Sequence, residues 1–387
     1  MIATITPAKL HGSIEAIASK SYAHRIIIAS ALADKPTEIY INGISNDVID
    51  TVNAVNCLGA NAQINGNIIS VEPIVKKSDE VTINITESGT TARMILPVAT
   101  ALYEKGELCG KGSLVKRPFA PLVNSISEHG VSFSDSFLPI SFEGKMSAGE
   151  YKISGSESSQ YISALMYALP LLKDESKITL TSPLASEGYV DITLDVLKQF
   201  GITGGFECKG NERYISPRKI NVEGDWSNSA FWRCADIDVK GLNPDSCQRD
   251  RLFDVVKDMD EIDAEHIPDL VPILSVYAAS KAADTRIYNV SRLRIKESDR
   301  IKSICDMITS LGGVIKATDN ELIINGKGEL MGGTVNSYND HRIVMSAAIA
   351  STICKNKVII RGCEAVNKSY PLFFKDFNSL GGKADVK

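Results

Sequence analysis

One pattern recurs along this chain: a helix-like stretch ending in an apolar residue, then Gly, then an alternating, strand-like run. It occurs as CLGANAQING at Gly59, SEHGVSFSDS at Gly130, QFGITGGFEC at Gly201, SLGGVIKATD at Gly312 and SLGGKADVK at Gly381. The first three glycines stand 71 residues apart and the last two 69 apart. Helix-Gly-strand transitions occur in any α/β protein, but equal spacing points to one supersecondary unit used repeatedly. In each unit the glycine supplies a left-handed helix end, and the alternation that follows gives strands half-buried against helices. Between Gly201 and Gly312 there is room for one worn copy, where KDMDEIDAEH near Asp260 keeps the helix-to-strand pattern without the glycine. The count is six units, three in each half of an α/β chain, with a short junction around VEGDWSNSAFW (222 to 232).

The 387 residues, 44% hydrophobic and 23% charged, suffice for two substantial cores. The first residues, MIATITPAKLHGSI, lack a cationic start followed by an apolar stretch, and no apolar run approaches the roughly 18 residues of a spanning helix. A cytoplasmic protein without membrane contact is expected. Eight cysteines stand far apart with no CxxC pair, and the five histidines show no ligand spacing. Free thiols and no metal site are the expectation. Nucleic acid is disfavoured as a partner, because no basic stripe with interleaved aromatics is present.

A net charge of −5 means that any bound anion must be met by locally gathered cations. Six polar segments supply them: SKSYAHR (19 to 25), ESGTTAR (87 to 93), SLVKRP (113 to 118), RIKESDR (294 to 300), NDHR (339 to 342) and NKSYP (367 to 371). In the first, Lys20 and Ser21 precede the apolar run RIIIASALA and open a helix whose free N–H groups favour an anion. It is not a P-loop, since Ser19 stands where the glycine before the lysine belongs. Ser88, Gly89 and Thr90 allow close backbone approach at the start of ARMILPVATALY, with Arg93 facing the first turn. Ser158, Ser159 and Gln160 offer neutral donors at a third helix start. Each of these, taken singly, is also explained as a simple helix cap.

RIKESDR places Lys296 and Arg300 at i and i+4 on one predicted helical face with Glu297 adjacent, a pattern that a solvated charge run also produces. In NDHR, Asn339 or Asp340 can cap the following helix while Arg342 lies in its first turn. Positive charge there opposes the helix dipole by roughly 0.3 to 1 kcal/mol, which suits a residue held for a ligand. Asp269 lies between two prolines in EHIPDLVPIL, either as a cap or as a carboxylate base.

Together with YVDITLDVLKQFG (189 to 201), EGDWSNSA (223 to 230) and HIPD (266 to 269), these segments resemble the 5-enolpyruvylshikimate-3-phosphate synthase family along nearly the whole chain and in the same order. The resemblance implies transfer of the enolpyruvyl group of phosphoenolpyruvate to the 5-hydroxyl of shikimate 3-phosphate by addition and elimination, with no metal or organic cofactor and sensitivity to glyphosate. It implies two domains, each of three βαβαββ units, holding substrates in the cleft between them: residues 1–12 with 224–387, and 13–223. A monomer is expected.

Carried over residue by residue, Ser21 and Arg25 match the positions for the shikimate carboxylate. Ser158, Ser159 and Ser186 match those for its 3-phosphate, and Gln160 and Tyr189 those around the ring. Lys20, Gly89, Arg117 and Lys368 match positions near the donor phosphate, Arg300 and Arg342 the clamp on the donor carboxylate, and Arg93 the matching helix start. Asp269, Lys296 and Glu297 match groups close to the reacting carbon and hydroxyl. Two such substrates bring roughly five to six negative charges, since phosphomonoesters titrate near pH 6. Eight cations (Lys20, Arg25, Arg93, Arg117, Lys296, Arg300, Arg342 and Lys368) suit that load, Arg for planar carboxylates and Lys for phosphate. Asp269 is expected to accept the hydroxyl proton, and Lys20 or Glu297 to handle the proton on carbon.

The chain departs from the family at three places: Glu87 where Asn is common, Ala18 where Gly is common, and Arg292, near the acceptor phosphate, where Asn is common. A related family acts on UDP-N-acetylglucosamine and carries a reactive Cys five residues before the Arg matching Arg117; Gly112 stands there, and Cys109 lies three residues too early. A non-catalytic sensor of phosphorylated metabolites is the other alternative. Asp269 and Glu297 argue against it, because carboxylates weaken an anion site unless they move protons.

Overall fold

The computed structural model describes residues 1–75 and 78–387. They divide into two compact units, residues 20–222 and residues 1–19 with 223–387. The unit carrying both termini runs on to Ser19 rather than stopping at residue 12. The reason is strand pairing: Ser13–Glu15 lies parallel to Asp238–Lys240, and Ala18 bridges Gly224.

In the 20–222 unit the helices are α1 (Lys20–Leu32), α2 (Asn46–Cys57), α3 (Gly89–Leu102), α4 (Ala120–Ser127), α5 (Ser159–Ala168) and α6 (Glu187–Gln199). They accompany three small sheets with one shared logic. Glu80–Asn84 runs parallel to Lys105–Cys109, and Ile140–Gly144 and Val131–Phe133 then add on antiparallel. The first sheet repeats this order with Thr37–Tyr40, Ile68–Glu72 and Asn61–Asn65, but borrows its leading strand, Lys219–Asn221, from the far end of the unit. The third keeps only Glu150–Ile153, Ser176–Leu180 and Glu207–Cys208.

The unit with both termini holds α7 (Trp226–Cys234), α8 (Phe253–Val256), α9 (Val271–Ser280), α10 (Arg300–Ser310), α11 (His341–Ala350) and α12 (Phe373–Ser379). Two of its sheets are complete, and one of them takes the N-terminal strand Ile2–Thr6 between Val358–Arg361 and Lys383–Val386. The remaining sheet has two strands only, Ser13–Glu15 and Asp238–Lys240. Four units of βαβαββ are therefore whole and two are worn. The segment near Asp260 does not close the worn copy: Glu261–Asp263 opens the next sheet, parallel to Asp284–Tyr288.

The five motif glycines all sit in the left-handed region, with φ between 80° and 95°, as the repeat required. Strand alternation follows too: Val81 and Ile83 are buried while Glu80, Thr82 and Asn84 face outward. The first helix of each whole unit is apolar almost all round. In α3 every residue from Thr91 to Ala101 is buried, and in α11 every residue is buried. The candidate residues of these buried helices lie in their first two turns, with a few small hydroxyls such as Ser30, Thr100 and Ser346 buried further along.

His24, in α1, illustrates the constraint. It is buried, and its Nδ1 lies 2.5 Å from Thr51 Oγ1 on α2. Burial first, then the charges of Lys20 and Arg25, hold its imidazole well below the ordinary 6.5 and therefore neutral. The unfolded chain takes up a proton near pH 6.5 that the folded chain refuses, so this contribution is complete above that pH and is lost as pH falls. His24→Asn is expected to remove up to about 1.4 kcal/mol per pH unit from the slope of stability below pH 6.5. Urea denaturation at several pH values measures it, and an unchanged slope refutes the assignment.

Candidate active site

In the 20–222 unit the predicted residues gather at the starts of α1, α3, α5 and α6. Lys20 is the first residue of α1, and its Nζ lies 2.8 Å from Asp47 Oδ2 on α2. Ser21, half-buried, follows it. One turn on, Arg25 is 1% exposed and is solvated by uncharged groups. Its Nε donates to Thr193 Oγ1 (2.7 Å), Nη1 to the Ser21 carbonyl (2.9 Å), and Nη2 to Ser163 Oγ (3.2 Å) and the Tyr189 carbonyl (3.0 Å). Burial lowers its pKa from the ordinary guanidinium value, yet no carboxylate offsets its charge, and one Nη1 hydrogen is left over.

Ser88 caps α3, its Oγ accepting from Thr91 N at 3.3 Å. Gly89 then opens the helix with Arg117 laid directly on it: a Cβ at Gly89 would stand 2.1 Å from Arg117 Nη1. Arg117 is 9% exposed, its Nε is buried without an acceptor, and its guanidinium makes no hydrogen bond or ion pair among the described residues. Arg93 is tied sideways, Nη1 to Gln160 Oε1 (2.8 Å) and Nη2 to the Pro118 carbonyl (3.3 Å), over the ring of Tyr161. Gln160 Nε2 donates in turn to Thr90 Oγ1 (2.8 Å), so the first turns of α3 and α5 meet. Ser158 caps α5, and Ser159 begins it. Ser186 precedes α6 with φ 55°, a left-handed conformation that costs a non-glycine residue about 1 kcal/mol or more and tends to mark functional positions. The structure thus brings Ser21, Arg25, Ser158, Ser159, Gln160, Ser186, Tyr189, Gly89, Arg93 and Arg117 to neighbouring helix starts.

The other unit builds its cluster around Asp269. Arg300, 1% exposed, donates from Nη1 to Asp269 Oδ1 (2.7 Å), from Nε to Asp340 Oδ2 (2.8 Å) and from Nη2 to Glu297. Arg342 Nη2 takes the other Asp269 oxygen at 3.0 Å, and its Nη1 takes the Asp269 carbonyl at 3.1 Å. Lys296 Nζ lies 3.7 Å from Asp269 Oδ1. Burial lowers the Lys296 pKa, with Arg300 and Arg292 adding to that and Asp269 and Glu297 opposing it. Burial also acts to lower Arg300, but Asp340, Glu297 and Asp269 outweigh it and raise its pKa. Arg292 Nη2 donates to the Glu265 carbonyl (2.6 Å), and Lys368 Nζ to the Asn339 carbonyl (3.0 Å).

Two expectations change here. Lys296 and Arg300 do not share a helical face: Lys296 ends a 3₁₀ turn (Ser291–Ile295) in extended conformation, and Asp299 caps a fresh helix at Arg300. They meet at Asp269 nonetheless. Nor does the whole of RIKESDR lie on a solvated surface: Arg294 and Ile295 are exposed, but Arg300 is among the most buried side chains of the protein. Asp269 does not cap α9, whose preceding residue is Leu270.

Sequence reasoning missed the supporting carboxylates. Asp47 and Asp50 sit in SNDVID, where only the helix-capping serine carries a signal. Asp340 was read as a possible cap but not as a partner of Arg300. Asp250, on the 3₁₀ turn Arg249–Leu252, is buried and has its pKa pushed up to about 7, by burial first and then by Asp269, with Arg342 opposing. Nothing in CQRDR marks it.

The two kinds of buried arginine should respond differently to removal. Arg300→Met leaves three carboxylates facing one another and is expected to lower the unfolding free energy by about 3 to 5 kcal/mol. Arg117→Met strands nothing and is expected to change it by less than about 1 kcal/mol. Urea denaturation of the two variants decides; equal losses would mean that Arg117 is paired structurally.

Known proteins resemble this chain along its whole length. The family model described as EPSP synthase (3-phosphoshikimate 1-carboxyvinyltransferase) matches residues 5–261 and 243–377. The 3-phosphoshikimate 1-carboxyvinyltransferase of Clostridium perfringens (strain SM101 / Type A) is 40% identical over 98% of this chain and 98% of its own. That of Clostridium novyi (strain NT) is 39% identical with the same coverage. A solved structure of EPSP synthase from Acinetobacter baumannii superposes with a TM-score of 0.81 over 100% of both chains, and at 21% identity it speaks to the fold alone. With a family model spanning the chain and relatives aligned end to end, the protein belongs to the EPSP synthase (3-phosphoshikimate 1-carboxyvinyltransferase) family.

Proposed function

We propose that these cation clusters serve anionic substrates. The chain transfers the enolpyruvyl group of phosphoenolpyruvate to the 5-hydroxyl of shikimate 3-phosphate, releasing phosphate, on the route to aromatic amino acids. Arg117 carries the assignment of the donor site. A buried guanidinium with no partner among the described residues, resting on the glycine that opens α3, is a poor structural device and a good phosphate ligand. Lys20 and Lys368 add charge to the same phosphate.

The acceptor carboxylate falls to Ser21 and to the remaining Nη1 hydrogen of Arg25. The 3-phosphate falls to Ser158, Ser159 and the left-handed Ser186, with Gln160 and Tyr189 beside the ring and Arg292 close by. Arg300 and Arg342 take the donor carboxylate. Asp269 binds both guanidiniums, one with each oxygen, so a donor carboxylate taken by Arg300 and Arg342 competes with Asp269 and leaves it to act as the base.

The 5-hydroxyl oxygen then bonds to C2 of phosphoenolpyruvate, C3 gains a proton, and the hydroxyl proton passes to Asp269. C3 next gives up a proton, the double bond re-forms, the bond from C2 to the phosphate oxygen breaks, and the proton on Asp269 leaves with phosphate. Glu297 and Lys20 are the carriers of the carbon proton, and Lys296, whose ammonium is made more acidic by burial, steadies the charge beside Asp269. Eight cysteines with no disulfide among them support a reducing, cytoplasmic setting. One chain supplies every group named, so a monomer suffices.

UDP-N-acetylglucosamine is disfavoured as acceptor by kinship and by position 112, where the related family carries its cysteine: Gly112 stands there at φ 57°, a backbone conformation that a side chain rarely adopts.

Phosphate release from phosphoenolpyruvate is expected with shikimate 3-phosphate and not with UDP-N-acetylglucosamine; release with the latter alone would reverse the assignment. Asp269→Asn is expected to lower kcat at least about 100-fold while the calorimetric Kd for shikimate 3-phosphate stays within about threefold. Near-normal turnover would remove Asp269 from the mechanism. Glyphosate is expected to compete with phosphoenolpyruvate, because Gly89 leaves its space open, and a rate unaffected at millimolar inhibitor would refute that placement.

A further inference from the structure

Helix α2 carries none of the residues assigned to a substrate, yet Asp47, Asp50 and Thr51 are directed at the elements that carry them. Asp47 pairs with Lys20. Thr51 Oγ1 lies 2.7 Å from Thr91 Oγ1, which lies 2.7 Å from Ser88 Oγ, the cap of α3. Between them stands Asp50, 3% exposed. Its carboxylate accepts Thr86 N (3.2 Å to both oxygens), Thr86 Oγ1 (2.7 Å), Glu87 N (3.2 Å) and Ser88 N (3.1 Å). No cation is among these partners.

A buried carboxylate beneath an anion site is unfavourable by charge alone, so its geometry needs a reason. Three consecutive N–H groups bound to one carboxylate fix the backbone from Thr86 to Ser88, the segment that leads directly into Gly89. That fixed approach leaves the first-turn N–H groups of Gly89 and Thr90, which have no intrahelical acceptor, as the outward donors of α3. Glu87 extends the same frame, since its Oε1 accepts Ser113 N (3.0 Å) and so ties the loop to the turn preceding Arg117.

We propose that Asp50 is a positioning residue for the donor-phosphate site, holding residues 86–88 so that α3 presents Gly89 and Thr90 to the phosphate beneath Arg117. The proposal rests on the reading that Gly89 and Arg117 bind that phosphate. Asp50 touches no substrate itself.

The test is steady-state kinetics of the full chain with both substrates, together with urea denaturation, on Asp50→Asn, Thr86→Val and Arg117→Met. Asn keeps the size of Asp50 but turns an NH2 group toward backbone donors. It is expected to raise KM for phosphoenolpyruvate about tenfold or more, while KM for shikimate 3-phosphate stays within about twofold and kcat falls less than about threefold. Thr86 is exposed and loses one bond of the set, so Thr86→Val is expected to raise the same KM by about two- to threefold without a shift of the urea midpoint. An unchanged KM for phosphoenolpyruvate overturns the proposal. So does a parallel rise of both KM values with a lowered urea midpoint, which is what a purely structural staple gives. If Asp50→Asn does not fold, Thr86→Val decides by the same criterion. Arg117→Met separates the two levels: if it raises KM for phosphoenolpyruvate and Asp50→Asn does not, only the role of Asp50 falls, and if Arg117→Met leaves that KM unchanged, the donor-site reading falls and this proposal with it.

Discussion

A single carboxylate shared by two guanidiniums organises the 223–387 region: Asp269 binds Arg300 with one oxygen and Arg342 with the other. Burying Arg300 would cost many kcal/mol if it were unpaired, so the fold must surround it with acids, and Asp340 and Glu297 complete the set. Asp340 is also the cap of α11, which ties the charge network to the helix that carries Arg342. Because Asp269 satisfies both arginines, the donor carboxylate proposed for them would exchange one carboxylate for another and keep the buried cations paired.

The 20–222 unit solves the same problem differently. Arg25 and Arg93 donate to hydroxyls, carbonyls and an amide, and the Arg117 guanidinium makes no hydrogen bond or ion pair among the described residues. For Arg25, hydrogen bonds to uncharged groups compensate desolvation in part but leave its charge standing. In this unit Asp50 binds N–H groups, Glu87 spends one oxygen on Ser113 N, and Asp47 pairs with Lys20. Buried arginines are thus compensated by carboxylates around Arg300 and by uncharged groups around Arg25.

The repeat was legible in the sequence because it depends on local chemistry: a left-handed residue after each helix and an alternating strand beyond it. Gly59 and Gly312 announce those turns whatever surrounds them. The cations were legible because they interrupt apolar periodicity at helix starts, as Lys20 does before RIIIASALA and Arg342 before IVMSAAIAST. What stayed hidden needs pairing between distant segments. Strand Ser13–Glu15 joins Asp238–Lys240, Lys219–Asn221 joins Thr37–Tyr40, and neither pairing leaves a mark on either segment alone. Asp50 and Asp250 were invisible for a related reason. An acid in the middle of a polar stretch reads as solvated until the fold puts it under a loop or behind an arginine. The misplacement of Lys296 on a helix with Arg300 has a simpler cause: i, i+4 spacing says nothing about where a helix begins, and Asp299 starts it three residues later.

The two observations join in the architecture itself. A βαβαββ unit buries its first helix almost completely, so most side chains along it are apolar or small, and the N-terminus, with its unpaired backbone N–H groups, is the natural place for polar chemistry. Repeating the unit repeats that opportunity, which is why anion-seeking residues recur in SKS, ESGTT, SESSQ and NDHR rather than collecting in one segment. Strand number does not track the sites: α7 and α8, beside the two-stranded sheet, carry no predicted substrate ligand, whereas α5 and α6, beside the three-stranded sheet, open on Ser158, Ser159, Gln160, Ser186 and Tyr189. What the opportunity requires is the helix start, which the three-stranded unit retains although it has lost a strand.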